Sequence, residues 1–245
     1  MAGALKPSIR VFDDGVALTR AAAKLFADSA HRAARDGFFR VAFSGGRTPK
    51  ALFHLLAGKE YRDIPWKKIE FFWGDERYVP HTHQDSNYRA AKDILLSQVP
   101  VDLNRVHPIP TAAKNPKKDA GRYEGMLRKL LGETPRLDFA VMGLGPDGHT
   151  ASLFPGGEAL KETERWAVPA YAEKKLPRSR ITLTVPVFNA AKKVVFLVVG
   201  EEKAEVVKDV IEDRGDFPAA RIRPQDGELI FLLDKAAASR LGRGS

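Results

Sequence analysis

Apolar residues recur along the chain with two alternating periods. Between Val16 and Arg35 they fall at Ala22, Leu25, Phe26, Ala30 and Ala33, the spacing of one helical face. Asp13 and Asp14 precede this stretch as capping candidates, and Gly37 follows its end. A continuous apolar run at 38–43 predicts a strand. A Gly-Gly turn then leads into a helix expected through Leu56, with Thr48 as N-cap and Pro49 at the first helical position. Further strands are expected at 69–73, 137–142, 180–185, 193–199 and 227–233. Helices are expected at 85–97, 121–131, 201–212 and 234–241, with a proline-punctuated connection at 101–118 and a frayed tail at 242–245.

Near-continuous apolar strands alternating with helices imply a three-layer α/β fold. Its sheet is mostly parallel and has helices on both faces, a Rossmann-like doubly wound arrangement. With no linker, low-complexity segment or repeat, residues 1–245 are read as a single domain. In such sheets ligands bind beyond the carboxyl ends of the strands. Four stretches therefore merit inspection: 44–48, 74–78, 143–149 and 200–203.

Composition narrows the chemistry. The chain has no cysteine, which removes disulfides, thiolate metal sites and cysteine nucleophiles together and suits a cytoplasmic protein. No apolar run approaches 18 residues, so no membrane span is expected, and the first residues lack the apolar core of a secretory signal. The formal net charge of +9 allows either a nucleic-acid-binding face or attraction of small anions. The densest basic stretches are Lys114–Lys118 with Arg122, and Lys174, Lys175, Arg178 and Arg180. Neither is interleaved with aromatics as a base-stacking surface would be, so both are read as solvated faces or loops and no nucleic-acid partner is expected.

Each strand end offers a chemistry and a plainer alternative. Ser44-Gly45-Gly46-Arg47-Thr48 can bring backbone N–H groups and a helix N-terminus to a phosphate, or be a tight capped turn. It is neither a Walker loop nor a nucleophile elbow. Gly74-Asp75-Glu76-Arg77-Tyr78 bunches three charges. Arg77 can grip phosphate with two prongs and Asp75 can orient a sugar hydroxyl or a histidine, or the group can be a surface ion-pair cluster. Gly143-Leu144-Gly145-Pro146-Asp147-Gly148-His149-Thr150 carries the sharpest signal. A glycine-shaped loop after a buried strand presents an acid and a histidine two residues apart, and histidine titrates near neutrality. Lys203 in the first turn of a helix opposes the dipole unless an anion sits beside it; otherwise it is a solvated lysine, and Arg180 has the same standing. His81 and His83 have no third or fourth ligand nearby, and no metal site is expected.

Together these pieces resemble the 6-phosphogluconolactonase family. The matching motifs are FSGGRTPKALF at 43–53, WGDERYVP at 73–80, DSNYRAA at 85–91, MGLGPDGHTASLFPG at 142–156, RITLTVP at 180–186 and VVGEEKAEVV at 198–207, in the family's order. The resemblance implies a cofactor-free hydrolase of a sugar-phosphate lactone, acting as a monomer or weak homodimer. It puts the base at His149 and the phosphate contacts at Gly45, Gly46, Arg77 and Lys203, with Arg180 lining the site. Asp147 and Asp75 join His149 as the acidic members of the catalytic group. Ser44, Arg47 and Thr48 complete the phosphate-side loop. Oxyanion donors are sought among the backbone N–H groups of 143–149 and Arg180. The related glucosamine-6-phosphate deaminases typically carry a glutamate after the loop histidine, where this chain has Thr150-Ala151-Ser152-Leu153-Phe154-Pro155.

Overall fold

The computed structural model describes residues 7–173 and 175–242. The expectations for Lys174 and for most of the 242–245 tail therefore lie outside the described residues. Strands β1 (Ser8–Phe12), β2 (Phe39–Phe43), β3 (Ile69–Trp73), β5 (Phe139–Met142), β8 (Lys193–Val198) and β9 (Glu228–Asp234) form one sheet in the order β1-β9-β8-β5-β2-β3. Every pairing in it is parallel. Strands β4 (Asp75–Arg77), β7 (Ser179–Leu183) and β6 (Ala167–Tyr171) form a second, antiparallel sheet in that order.

The helices are α1 (Gly15–Asp36), α2 (Arg47–Leu56), α3 (Asn87–Ala91), α4 (Pro116–Leu131), α5 (Val185–Asn189) and α6 (Ala204–Ile211). The strand order assigns their layers. The crossovers β1-α1-β2 and β2-α2-β3 move across the sheet in one direction, whereas those from β3 to β5, β5 to β8 and β8 to β9 move in the other. Right-handed crossovers then put α1 and α2 on one face and α4, α5 and α6 on the opposite face. The doubly wound, mostly parallel architecture expected from the sequence is the one found. The chain reverses its direction of travel between β2 and β5, so the crevice at their carboxyl ends is the topological switch point.

The strands are apolar because both faces of the sheet are covered. Phe26 of α1 packs edge to face on Phe39 of β2 and Phe139 of β5, with centroids 5.2 and 5.8 Å apart. Phe196 and Phe231 stack at 4.7 Å between β8 and β9. At the end of β3 the buried Tyr123 hydroxyl of α4 accepts from Trp73 N–H at 2.9 Å and donates to its carbonyl at 3.2 Å. That pin stands two residues before Asp75.

Several boundaries differ from the pattern-based reading. Asp14 caps α1, accepting from Val16 and Ala17 N–H, as anticipated. Helix α2 begins at Arg47 with Gly46 as its N-cap and no capping side chain, so Thr48 is inside the helix. Helix α4 starts at Pro116, earlier than residue 121, because Asn115 caps it by accepting from Lys118 N–H. The 85–97 segment is α-helical only as α3 and continues as a π-helical turn over Lys92–Leu96. The 180–185 strand belongs to the small antiparallel sheet as β7, with α5 starting at Val185. Residues 235–240 are turns rather than a final helix. The Asp234 carboxylate there accepts from Ala237 N–H at 2.7 Å and from Gly200 N–H at 3.1 Å, ending the strand in a local turn.

Candidate active site

The loop after β5 sits at the switch point and is closed by its own hydrogen bonds. Gly145 N–H donates to the His149 carbonyl at 2.8 Å, Gly148 N–H to the Gly145 carbonyl at 3.0 Å, and the Thr150 hydroxyl to the Gly143 carbonyl at 2.8 Å. Only glycine fits at 145, because a Cβ there would fall on His149 Nδ1. The tight loop thereby sets the His149 ring against the Asp147 carboxylate, with Nδ1–H donating to Oδ1. Phe154 packs on the ring at a centroid distance of 4.9 Å. The second ring nitrogen, Nε2, lies 3.2 Å from Lys175 Nζ. Burial pushes the His149 pKa below its ordinary value; Asp147 pulls it back up, Lys175 lowers it further, and Asp75 raises it. Burial thus favours the neutral ring, in which Nδ1–H faces Asp147 and Nε2 keeps its lone pair. Burial raises the Asp147 carboxyl, but the hydrogen bond and charge of His149 outweigh that and hold it low.

The charged cluster after β3 separates into three roles. Glu76 is buried and accepts from Asn87 N–H, Tyr88 N–H and Ser86 Oγ at 2.7, 2.8 and 2.9 Å. Burial nevertheless raises its pKa. Glu76 thus anchors the start of α3. That places Asn87, whose Nδ2 donates to the Asp75 carbonyl at 2.9 Å and to Asp75 Oδ1 at 3.2 Å. Ser152 Oγ donates to the other oxygen of Asp75 at 2.7 Å. Asp75 is 5% exposed and held from both sides. Asn87 also explains the glycine turn, since a Cβ on Gly45 would overlap its carboxamide. The ion-pair-cluster alternative does not describe this region; Glu76 and Asp75 are built into the wall of a site.

Arg77 and Arg180 are direct partners in the β4–β7 register. Arg77 Nη1 donates to the Asp85 carbonyl at 2.7 Å, while its buried Nε has no hydrogen-bond partner. Arg180 is 5% exposed and donates through Nε to the Pro177 carbonyl at 2.8 Å. Burial lowers its pKa, and the adjacent Arg77 adds to that against Asp75 and Glu76. Lys203 ends a 3-10 turn (Glu201–Lys203) ahead of α6; burial lowers its pKa, with Glu202 opposing and Lys175 reinforcing.

These groups enclose a cavity of about 380 Å³, the size of a small sugar phosphate. Arg47, Arg77, Lys175, Arg180 and Lys203 line it against only two carboxylates, Asp75 and Glu202. Such a surplus of cations, Arg180 among them buried, favours an anionic ligand. Ser44, Gly45, Gly46, Thr48 and His149 complete the walls, so the four strand ends singled out in the sequence converge. Asp147 faces an adjoining cleft and touches the cavity through His149. Arg47 stands at the rim, its side chain 95% exposed and 3.6 Å from Glu202. The first turn of α2 has no capping side chain, and its residues Arg47 and Thr48 line the cavity. Sequence reasoning did not single out Asn87, Ser152 or Lys175. The first two lie within the quoted motifs, but Lys175 belongs to a basic run read as solvated. Among the described residues no cluster of three or more His, Asp or Glu could hold a metal ion. No helix among them is long and apolar enough to cross a membrane.

A doubly wound sheet with a histidine–carboxylate pair and a cationic pocket at its switch point defines a class of α/β proteins that handle small anionic ligands. The model of the family described as glucosamine-6-phosphate isomerases/6-phosphogluconolactonase matches residues 13–231, and the chain belongs to this family. It is 43% identical over 215 residues to a 6-phosphogluconolactonase of Synechocystis sp., covering 85% of this chain and 87% of that one. It superposes on the solved 6-phosphogluconolactonase from Trypanosoma cruzi with a TM-score of 0.89 at 31% identity, over 98% of this chain and 99% of that one. A monomeric glucosamine-6-phosphate deaminase shares the fold, with a TM-score of 0.82 at 19% identity over 96% and 100% of the two chains.

Proposed function

We propose that this protein hydrolyses 6-phospho-D-glucono-1,5-lactone to 6-phosphogluconate, the lactone-opening step of the oxidative pentose phosphate pathway. The observation that carries this reading is His149, paired to Asp147 through Nδ1 inside a pocket whose cations outnumber its acids. A δ-lactone is an activated ester, so water needs only a general base. His149 Nε2 takes a proton from water as the oxygen attacks C1. The C1–ring-oxygen bond then breaks, and His149 returns the proton to the departing oxygen. Such help is worth about 10²–10⁴-fold. Asp147 holds the tautomer and stabilises the imidazolium, and Asp75 adds favourable charge from its fixed position. Arg77, Lys203 and the Gly45-Gly46 turn at the start of α2 receive the 6-phosphate, with Arg180 beside them; Ser44, Arg47 and Thr48 border that end.

The cations gather in a concavity, which favours a small anion over a nucleic acid. A cytoplasmic setting suits a chain without cysteine. The test offers the purified protein 6-phosphogluconolactone and glucosamine 6-phosphate separately and follows acid and ammonia. Catalysed acid release from the lactone with no ammonia is expected; ammonia from the amino sugar would replace this reading with a deaminase.

A further inference from the structure

We propose that Lys175 is the oxyanion donor of this site, the group that receives the negative charge on the lactone carbonyl oxygen as water adds. The inference rests on the lactonase reading and adds a residue to it.

Lys175 sits in the connection between β6 and β7, which folds back over the catalytic loop. Ala172 N–H closes the connection on the Arg178 carbonyl at 2.8 Å. Arg180 Nε ties Pro177 down at 2.8 Å. The ammonium thereby lands 3.2 Å from His149 Nε2, and that imidazole nitrogen is its one polar partner among the described residues. An ammonium has three N–H donors. At least two are thus unspent in a site built for an anion.

Several of the alternative donors are already committed. Within the 143–149 loop, Gly145 N–H is bound to the His149 carbonyl and Gly148 N–H to the Gly145 carbonyl. His149 N–H points to Asp147 Oδ1 at 3.4 Å. Arg180 is anchored through Nε and paired in register with Arg77, which sets its remaining N–H groups on the side of the phosphate cations. Lys175 is the donor placed directly against the nitrogen that activates water. A water on Nε2 attacking C1 puts the carbonyl oxygen next to that water, within reach of the same ammonium.

The electron count closes without a cofactor. Water forms the O–C1 bond as its proton passes to Nε2, and the carbonyl π pair moves onto oxygen, where Lys175 Nζ holds it. Collapse restores the carbonyl and breaks the C1–ring-oxygen bond. His149 protonates the ring oxygen, and the product acid ionises to solvent. In the unliganded site the same ammonium caps Nε2, so it also lowers the basicity of His149. The charged groups facing His149 are Asp147, Asp75 and Lys175, and those acting on Lys175 are Asp147, Arg180, Arg77 and Lys203. Removing the Lys175 charge leaves the two carboxylates dominant, and the His149 pKa rises.

Lys175→Met and Lys175→Arg separate this role from a structural one. For Lys175→Met, kcat on 6-phosphogluconolactone should fall about 10²–10³-fold with KM within about threefold of the parent. The acid limb of kcat/KM should move to higher pH, and an NMR titration of His149 without substrate should show the same direction. Lys175→Arg should recover part of kcat. Parental kcat with an unmoved acid limb overturns the proposal. So does a raised KM at parental kcat, which would make Lys175 a phosphate ligand. A parent protein inert on the lactone overturns the lactonase reading and this proposal with it. An active parent combined with a fully active Lys175→Met overturns the proposal alone.

Discussion

The two sheets of this protein divide the labour of the site. The six-stranded parallel sheet contributes strand-end loops: the Gly45-Gly46 turn after β2, the His149 loop after β5 and Lys203 after β8. The three-stranded antiparallel sheet contributes side chains from the strands themselves, Asp75 and Arg77 on β4 and Arg180 on β7, and presents Lys175 on its connecting loop. The inner strands of the large sheet are buried on both faces. The small one carries buried charges: its register sets Arg77 against Arg180, Ser152 and Asn87 donate to the Asp75 carboxylate, and the Asp85 carbonyl accepts from Arg77. A site assembled from both gets backbone curvature from one and fixed charge from the other.

The largest expected effect strikes the large sheet's contribution. His149→Ala should lower kcat at least about 10²-fold with little change in KM, because the base acts in the transition state. In the parent, kcat/KM should fall on acidification only as pH drops through a value below the ordinary imidazole pKa of about 6.5, since burial and Lys175 favour the neutral ring. An acid limb above that value would contradict the electrostatics described here. Next in size is Lys203→Ala, which should cost about ten- to a hundredfold in kcat/KM on the phosphorylated lactone, at roughly 1.5–3 kcal/mol per charged hydrogen bond. An undiminished kcat/KM would remove Lys203 from the phosphate end. The smallest effect comes from Ser152→Ala. It removes one hydrogen bond to the buried Asp75 and should lower stability by about 1–3 kcal/mol, read as a drop in melting temperature. An unchanged melting temperature would mean that Asp75 does not depend on that support.

The same division governs what could be read from the sequence. Strands of the large sheet, such as Ile69–Trp73 and Phe139–Met142, are continuous apolar runs, and that composition follows directly from burial on both faces. Their carboxyl ends can then be located by the general rule for open sheets, which brings out His149, the glycine turn, Lys203 and, beyond β3, Asp75 and Arg77. The small sheet left no comparable pattern. Strand β4 is three charged residues, too short for an alternation to register. Strand β6 carries Pro169, which its edge position tolerates but which breaks a strand signal. β1 is exposed along most of its length at the other edge of the large sheet, and it was missed for the same lack of pattern. Lys175 was unreadable for a different reason: its function depends on a loop folding back onto residue 149, a long-range contact that a local run of basic residues cannot express.

The claim that Arg77 of the small sheet recognises the phosphate while His149 of the large sheet's loop performs the proton transfer is tested most directly with two substrates. The measurement is kcat/KM on 6-phosphogluconolactone and on unphosphorylated gluconolactone for the parent and Arg77→Ala. Arg77→Ala should lose about ten- to a hundredfold on the phosphorylated lactone. It should keep nearly all of the slow activity on the plain one. Equal losses on both lactones would contradict that division, placing Arg77 in the fold or the chemistry rather than at the phosphate.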